Sequence, residues 1–170
     1  NRDLVTKVYV PKYVLLLSKS FTYLFKMGIS LLITFALMIF QGVPFTWHII
    51  LIIPIFIVLY IISFGIGMIL MHFGFTLNDL GNLTNIALRM VFYLSGVFYN
   101  INERLSGKLK YILLRANPVA FCMNELRKVM LQGVLPNFAV LGVWLIIGIG
   151  LCALGVHLIN SYENSYAKVI

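Results

Sequence analysis

The sequence predicts an all-α, polytopic helical membrane protein, and three observations carry that prediction. Of its 170 residues, 61% are hydrophobic and only 11% are charged, whereas soluble domains are nearer a quarter charged. Four apolar runs approach or exceed the roughly 20 residues that a hydrocarbon core demands. The polar residues between them fall in short turns or amphipathic stretches, not in a separate hydrophilic domain.

The chain opens with NRDLVTKVYVPKYVLLLSKS, residues 1–20, in which Arg2, Lys7, Lys12 and Lys19 accompany a single acid, Asp3. Pro11 divides this stretch, which reads as a basic helical elbow on the membrane face ahead of the first span. The first span is expected over Phe21–Phe40. Gln41–Thr46, QGVPFT, is a tight Gly/Pro turn, and the second span follows over Trp47–Phe73. Pro54 lies inside that span and is expected to bend it, because proline removes a backbone donor and crowds the preceding turn. The short connection GFTLNDLG leads to a third span over Asn82–Tyr99, and the fourth covers Phe138–Ile159.

The segment between the third and fourth spans, Ile101–Pro136, is too charged to cross a bilayer and too apolar for an ordinary loop. It reads as two short amphipathic helices separated by Ala116-Asn117-Pro118. Asn117 suits an N-cap and Pro118 the first helical position. Leu105, Leu109, Ile112 and Leu113 recur at helical spacing in the first helix. Phe121, Met123, Leu126, Val129 and Met130 form a stripe in the second, with Glu125, Arg127 and Lys128 mostly opposite. Such a pair either lies flat in the interface or dips back into the protein.

Charge does not orient the chain. The tails carry Arg2, Lys7, Lys12, Lys19 and Lys168; the segment between the last two spans carries Arg104, Lys108, Lys110, Arg115, Arg127 and Lys128. Five cations against six favour neither side under the positive-inside rule. The net charge of +8 flanks apolar spans and forms no basic domain, so it points to membrane surface and not to nucleic acid.

Little catalytic chemistry is on offer. Ser106-Gly107-Lys108 lacks the rest of a phosphate-binding loop. His48, His72 and His157 lie near span ends, far apart in sequence, and predict no metal centre. Cys122 and Cys152 sit in apolar surroundings without metal-type spacing. Between Asp3 and Glu103 the only acid is Asp79, which leaves a proton-relay carrier little to work with. No convergent acid, base and nucleophile set marks an intramembrane enzyme. Two cations fall within apolar runs: Lys26, close enough to a span end to snorkel, and Arg89, which either snorkels or faces a protein-lined cavity.

The stretch VFYLSGVFYNINERL, Val91–Leu105, concentrates rings at the end of the third span. Phe92, Tyr93, Phe98 and Tyr99 fit two readings. They are belt anchors and packing at a membrane boundary, or they line a passage where ring faces stack on the apolar faces of sugars.

The ordered set of short motifs resembles the membrane permeases of type-two ABC exporters, specifically those exporting lipid-linked polysaccharides such as O-antigen and teichoic acid. Asn1, Leu4, Lys7, Val8, Tyr9 and Pro11 resemble the segment that precedes that family's third transmembrane helix. Leu77-Asn78-Asp79-Leu80 is similar to its Arg-Asp connection, with Asn78 in place of arginine. Ser95-Gly96-Val97-Phe98-Tyr99 resembles its Ser-Pro-Val-Phe-Tyr, with Gly96 in place of proline. Asn117-Pro118, Leu126-Arg127, Leu131 and Gly133 follow its Asn-Pro, Arg, Leu, Gly pattern, and Ser165–Ile170 looks like its ending.

The resemblance implies that residues 1–170 are one permease transmembrane domain, preceded in the family by an interfacial helix and two further spans. It implies a coupling elbow at residues 1–20, with Arg2, Lys7, Tyr9, Pro11 and Lys12 meeting a separate ATP-binding subunit that holds ATP and magnesium. It makes residues 101–136 outer gate helices hinged at Asn117 and Pro118. The ring-lined passage then falls to Phe92, Tyr93, Phe98 and Tyr99, with Arg89, Arg104, Arg115 and Arg127 as candidate passage or lipid-phosphate contacts. No catalytic residue, metal or cofactor is expected on this chain. The implied partners are a second copy of the chain, an undecaprenyl-type lipid-linked glycan and membrane lipids. The implied location is a bacterial plasma membrane with both tails cytoplasmic. A permease for a drug or small lipid, and a non-transport membrane scaffold, are the competing readings.

Overall fold

The computed structural model describes residues 12–74 and 76–166, and every regular element among them is helical. Seven α-helices follow in order: α1 (Lys12–Phe40), α2 (Ile52–Gly74), α3 (Leu80–Leu94), α4 (Ile101–Arg104), α5 (Gly107–Ala116), α6 (Pro118–Arg127) and α7 (Phe138–Tyr166). A 3₁₀ turn, Trp47–Leu51, leads into α2, and a π-helical turn, Lys128–Gln132, extends α6.

Among the described residues, three helical stretches are long and apolar enough to cross a membrane: Tyr13–Phe40, Trp47–Gly74 and Phe138–Tyr162. The third expected span is shorter than its apolar run. α3 stops at Leu94 and has 15 residues, about 22 Å at 1.5 Å per residue against a core of about 30 Å. It ends where Gly96 takes φ +73° and turns the chain aside. The first span differs in the opposite sense, since residues 12–20 continue into α1 with no break at Phe21. The other coupling residues, Arg2, Lys7, Tyr9 and Pro11, and the side chain of Lys12 lie outside the described residues.

Pro54 lies in the first turn of α2, directly after the 3₁₀ turn Trp47–Leu51 and inside the apolar stretch Trp47–Gly74. The α1–α2 turn closes as the sequence predicts. Val43 N–H donates to Met38 O at 3.0 Å and Gly42 N–H to Ile39 O at 3.1 Å, the paired bonds of a Schellman stop with Gly42 left-handed at φ +70°.

The core is the seam between α2 and α7, which run parallel. Gly148 abuts Ile61 and Ile62, Gly65 abuts Leu151 and Cys152, and Gly155 abuts Met68. A Cβ at Gly65 would sit 2.8 Å from the Cys152 backbone nitrogen, and one at Gly155 would sit 2.7 Å from Met68 Cβ. Small residues let the two backbones touch, which is how helices gain packing energy in lipid, where burial against solvent supplies little. Cys152 Sγ adds a contact to Ile61 O at 3.2 Å.

Phe121, Cys122 and Val129 of the α6 region join Ile52, Ile55, Val58, Ile62 and Leu141 in one buried cluster. α6 thus packs along the first half of α2 and the start of α7. The chain ends of α1 and α7, with the α2–α3 connection, share one end of the bundle; residues 41–51 and 95–137 share the other.

Candidate functional site

The candidate site is the ring cluster at the end of α3 together with the α5–α6 hairpin beneath it. Asn117 N-caps α6 as its sequence predicts: its Oδ1 accepts from Val119 N–H at 3.0 Å and Ala120 N–H at 3.3 Å, and Pro118 occupies the first turn. This break turns α5 back into α6, so the pair forms a hairpin. The far end of α6 is fixed at the mouth of the bundle, where Gly133 abuts Thr46 and His48.

Glu125 is the largest departure from the amphipathic pattern. Its place opposite the stripe predicts solvent exposure, yet it is only 2% exposed. Its carboxylate is satisfied from two directions. Lys128 Nζ donates to Oε1 at 3.0 Å, and the backbone N–H of Asn137 donates to Oε2 at 2.8 Å. Asn137 itself caps α7, accepting from Val140 N–H at 3.3 Å. A negative charge therefore sits at the N-terminus of the last span, where the helix dipole favours it. Burial, with the Glu125 charge beside it, pushes the Cys122 thiol from 9.0 up to about 12.

Phe92, Tyr93 and Phe98 come together, and Tyr99 joins them through its hydroxyl. Phe92 meets Tyr93 and Phe98 edge to face, each at 5.6 Å between centroids, a favoured aromatic geometry. Tyr99 Oη donates to Tyr93 O at 3.1 Å. Phe98 is 80% exposed and Tyr93 67%, so both rings are largely uncovered in the single chain. Beneath it the chain is tightly held: Ser95 is buried and its hydroxyl donates to Val91 O, while Ile101 is buried against Gly96.

The four candidate arginines part company. Arg127 reaches from α6 to the turn below the rings: Nη1 donates to Tyr99 O at 3.0 Å, and Nη2 to Gly96 O at 2.6 Å and Val97 O at 3.2 Å. Its guanidinium is thus engaged with protein carbonyls. Arg115 folds over Tyr111 of its own helix, 4.5 Å from the ring centroid, and donates to Tyr111 Oη at 2.8 Å. Arg89 on α3 and Arg104 on α4 are exposed. Sequence reasoning missed Asn102 and Asn124, whose side chains join α4 to α6. It also missed the role of Glu125. No local pattern announces either contact, because the partners are far apart in sequence or, for Asn137, backbone.

At the opposite end, α1, α2 and the start of α3 surround a cavity of about 780 Å³ whose lining includes Leu16, Lys19, Met71, Asn78 and Thr84. It is separate from the ring cluster. Among the described residues no group of His, Cys, Asp or Glu is placed to hold a metal. His48 stacks on Trp47 at 4.1 Å, and His72 packs against Tyr162 at 5.0 Å.

Comparison with known proteins gives the family. Residues 1–131 match the model described as ABC-2 type transporter. The chain is 26% identical over 137 residues, 81% of its length, to the O-antigen export system permease protein RfbA of Myxococcus xanthus. It spans about half, 53%, of the length of that curated relative. No solved structure gives a significant match. The family match over most of the chain, on a bundle whose described residues include three helices apolar enough to span a membrane, leads to one conclusion: this chain belongs to the ABC-2 type transporter family.

Proposed function

We propose that the chain is the permease subunit of an ATP-driven exporter of lipid-linked polysaccharide, an O-antigen, teichoic acid or related cell-surface glycan, across a bacterial plasma membrane. The observation that carries this reading is the exposed cluster of Phe92, Tyr93 and Phe98 at the mouth that also holds the hairpin. Exposed ring faces suit the apolar faces of sugars, and the tyrosine hydroxyls suit their polar edges. The likeness to an O-antigen export permease agrees with it.

In this reading the tails are cytoplasmic, and an ATP-binding partner presses on residues 1–20. ATP turnover, with its magnesium, belongs to that partner, and this chain carries no catalytic group. The open faces of α1 and α3, of which α3 buries no residue in the single chain, suit lipid and a second copy. The cargo path then runs between copies, and Arg89 and Arg104 are exposed cations near its mouth that suit a carrier phosphate. Helix shifts driven by the partner open the α5–α6 hairpin about Asn117 and Pro118.

The test is export of polymer from cells carrying the full-length permease with Tyr93, Phe98 and Tyr99 changed to alanine. The expected result is strongly reduced export at normal membrane abundance; unimpaired export overturns the aromatic passage. A permease for a drug or small lipid predicts the opposite substrate pattern in parallel export assays. A scaffold predicts that no ATPase co-purifies.

A further inference from the structure

We propose that Arg127 is a positioning residue: it latches the ring-bearing turn to α6, so that α6 and the rings hold together as one body. α3 buries no residue of its own, so the turn after it is seated from its far side, where Ser95 and Gly96 are buried and Ile101 packs on Gly96. The turn itself makes a left-handed step at Gly96, φ +73°. It also leaves the carbonyls of Gly96, Val97 and Tyr99 converging outside any helix.

Arg127 answers all three carbonyls from a helix about 30 residues away in sequence. A guanidinium is suited to this because its planar fork presents several donors in fixed directions, whereas an ammonium is a single point. A second tie runs alongside, from Asn102 Nδ2 to Asn124 Oδ1, so residues 95–104 are fastened to α6 at two places. On the other side, α6 is fastened to the start of α7 through Glu125. The polar ties therefore run from α7 through α6 to the rings, and Arg127 is the link nearest the rings. A hinge motion at Asn117 and Pro118 then swings α5, while Phe98 and Tyr99 stay with α6.

This inference rests on the transport reading for its purpose but not for its test. A spin label at Phe98→Cys in the full-length permease reports the mobility of the turn, and a second label at Tyr23→Cys on α1 is the control. Losing one charge-assisted hydrogen bond shifts the held-to-free ratio roughly tenfold. Arg127→Ala is therefore expected to sharpen the spectrum at position 98 and leave position 23 unchanged. Ethylguanidinium added to Arg127→Ala is expected to restore part of the immobilisation, which a general loss of packing would not allow.

Arg127→Lys keeps the charge and is the variant to use if the alanine form aggregates; it is expected to loosen position 98 by a smaller amount. A spectrum at position 98 unchanged from wild type in either variant overturns the latch. Polymer export measured on the same variants separates the two claims. Loosened rings with export retained refute the coupling of the latch to transport while the latch stands. Absence of any polymer export by the unmodified permease refutes the cargo and leaves the mobility result to be judged on its own.

Discussion

Replacing Glu125 offers the sharpest check on how the hairpin is held. The carboxylate is buried and accepts one bond from Lys128 and one from the Asn137 backbone. Glu125→Ala deletes both. It removes a charge-assisted hydrogen bond to the N–H of Asn137, worth about 1.5–3 kcal/mol, and withdraws a negative charge from the N-terminus of α7, worth about 0.3–1 kcal/mol. The sum is about 3 kcal/mol, with an unfilled space adding to it. Glu125→Gln keeps an oxygen for Asn137 and loses only the ion pair. The Lys128 side chain in that pair is 28% exposed, so screening holds the loss to about 1 kcal/mol. Reversible unfolding of the full-length protein in mixed micelles, followed by far-ultraviolet circular dichroism, measures both. The expected order is wild type, then Gln, then Ala, with Ala at least twice as costly as Gln. Equal costs would show that the charge and not the Asn137 bond matters, and an Ala cost below about 0.5 kcal/mol would refute the carboxylate as the tie.

Two further outcomes follow from the packing. Gly65→Ala drives a Cβ to 2.8 Å from the Cys152 backbone nitrogen and is expected to cost about 1–3 kcal/mol in the same assay. Gly28→Ala on α1, with nothing within 4 Å, is expected to stabilise by about 0.5–1 kcal/mol. Cys122, whose burial and neighbouring carboxylate keep it protonated near neutral pH, is expected to resist maleimide in the folded protein and to label once the protein is denatured. Fast labelling of the folded form would place α6 away from α2.

Much of this fold is legible in the sequence because its signals are local. Apolar runs give the long helices, Gly42 followed by Pro44 stops α1, and Asn117-Pro118 starts α6 by capping chemistry that needs no distant partner. The limits appear where the deciding contact is distant. The apolar run VFYL suggests a third span reaching Tyr99, but a left-handed residue two positions after Leu94 ends the helix. Gly96 is also where this chain departs from the proline of the pattern it resembles. Proline cannot take φ +73°, so this turn depends on glycine. The polar face of α6 conceals two opposite fates. Glu125 turns inward because α7 begins beside it, and Arg127 turns toward carbonyls that only the folded chain brings near. Pro54 reads as a mid-span residue, and the fold sets it in the first turn of α2 after a 3₁₀ turn.

The glycine-lined contact between α2 and α7 has a mechanical consequence. Backbones that already touch leave no slack for one helix to glide over the other, since a shift of a fraction of an ångström drives Met68 or Leu151 into main-chain atoms. That pair behaves as the keel of the subunit, and any rocking stroke has to be taken up by α1, α3 and the parts hung from them.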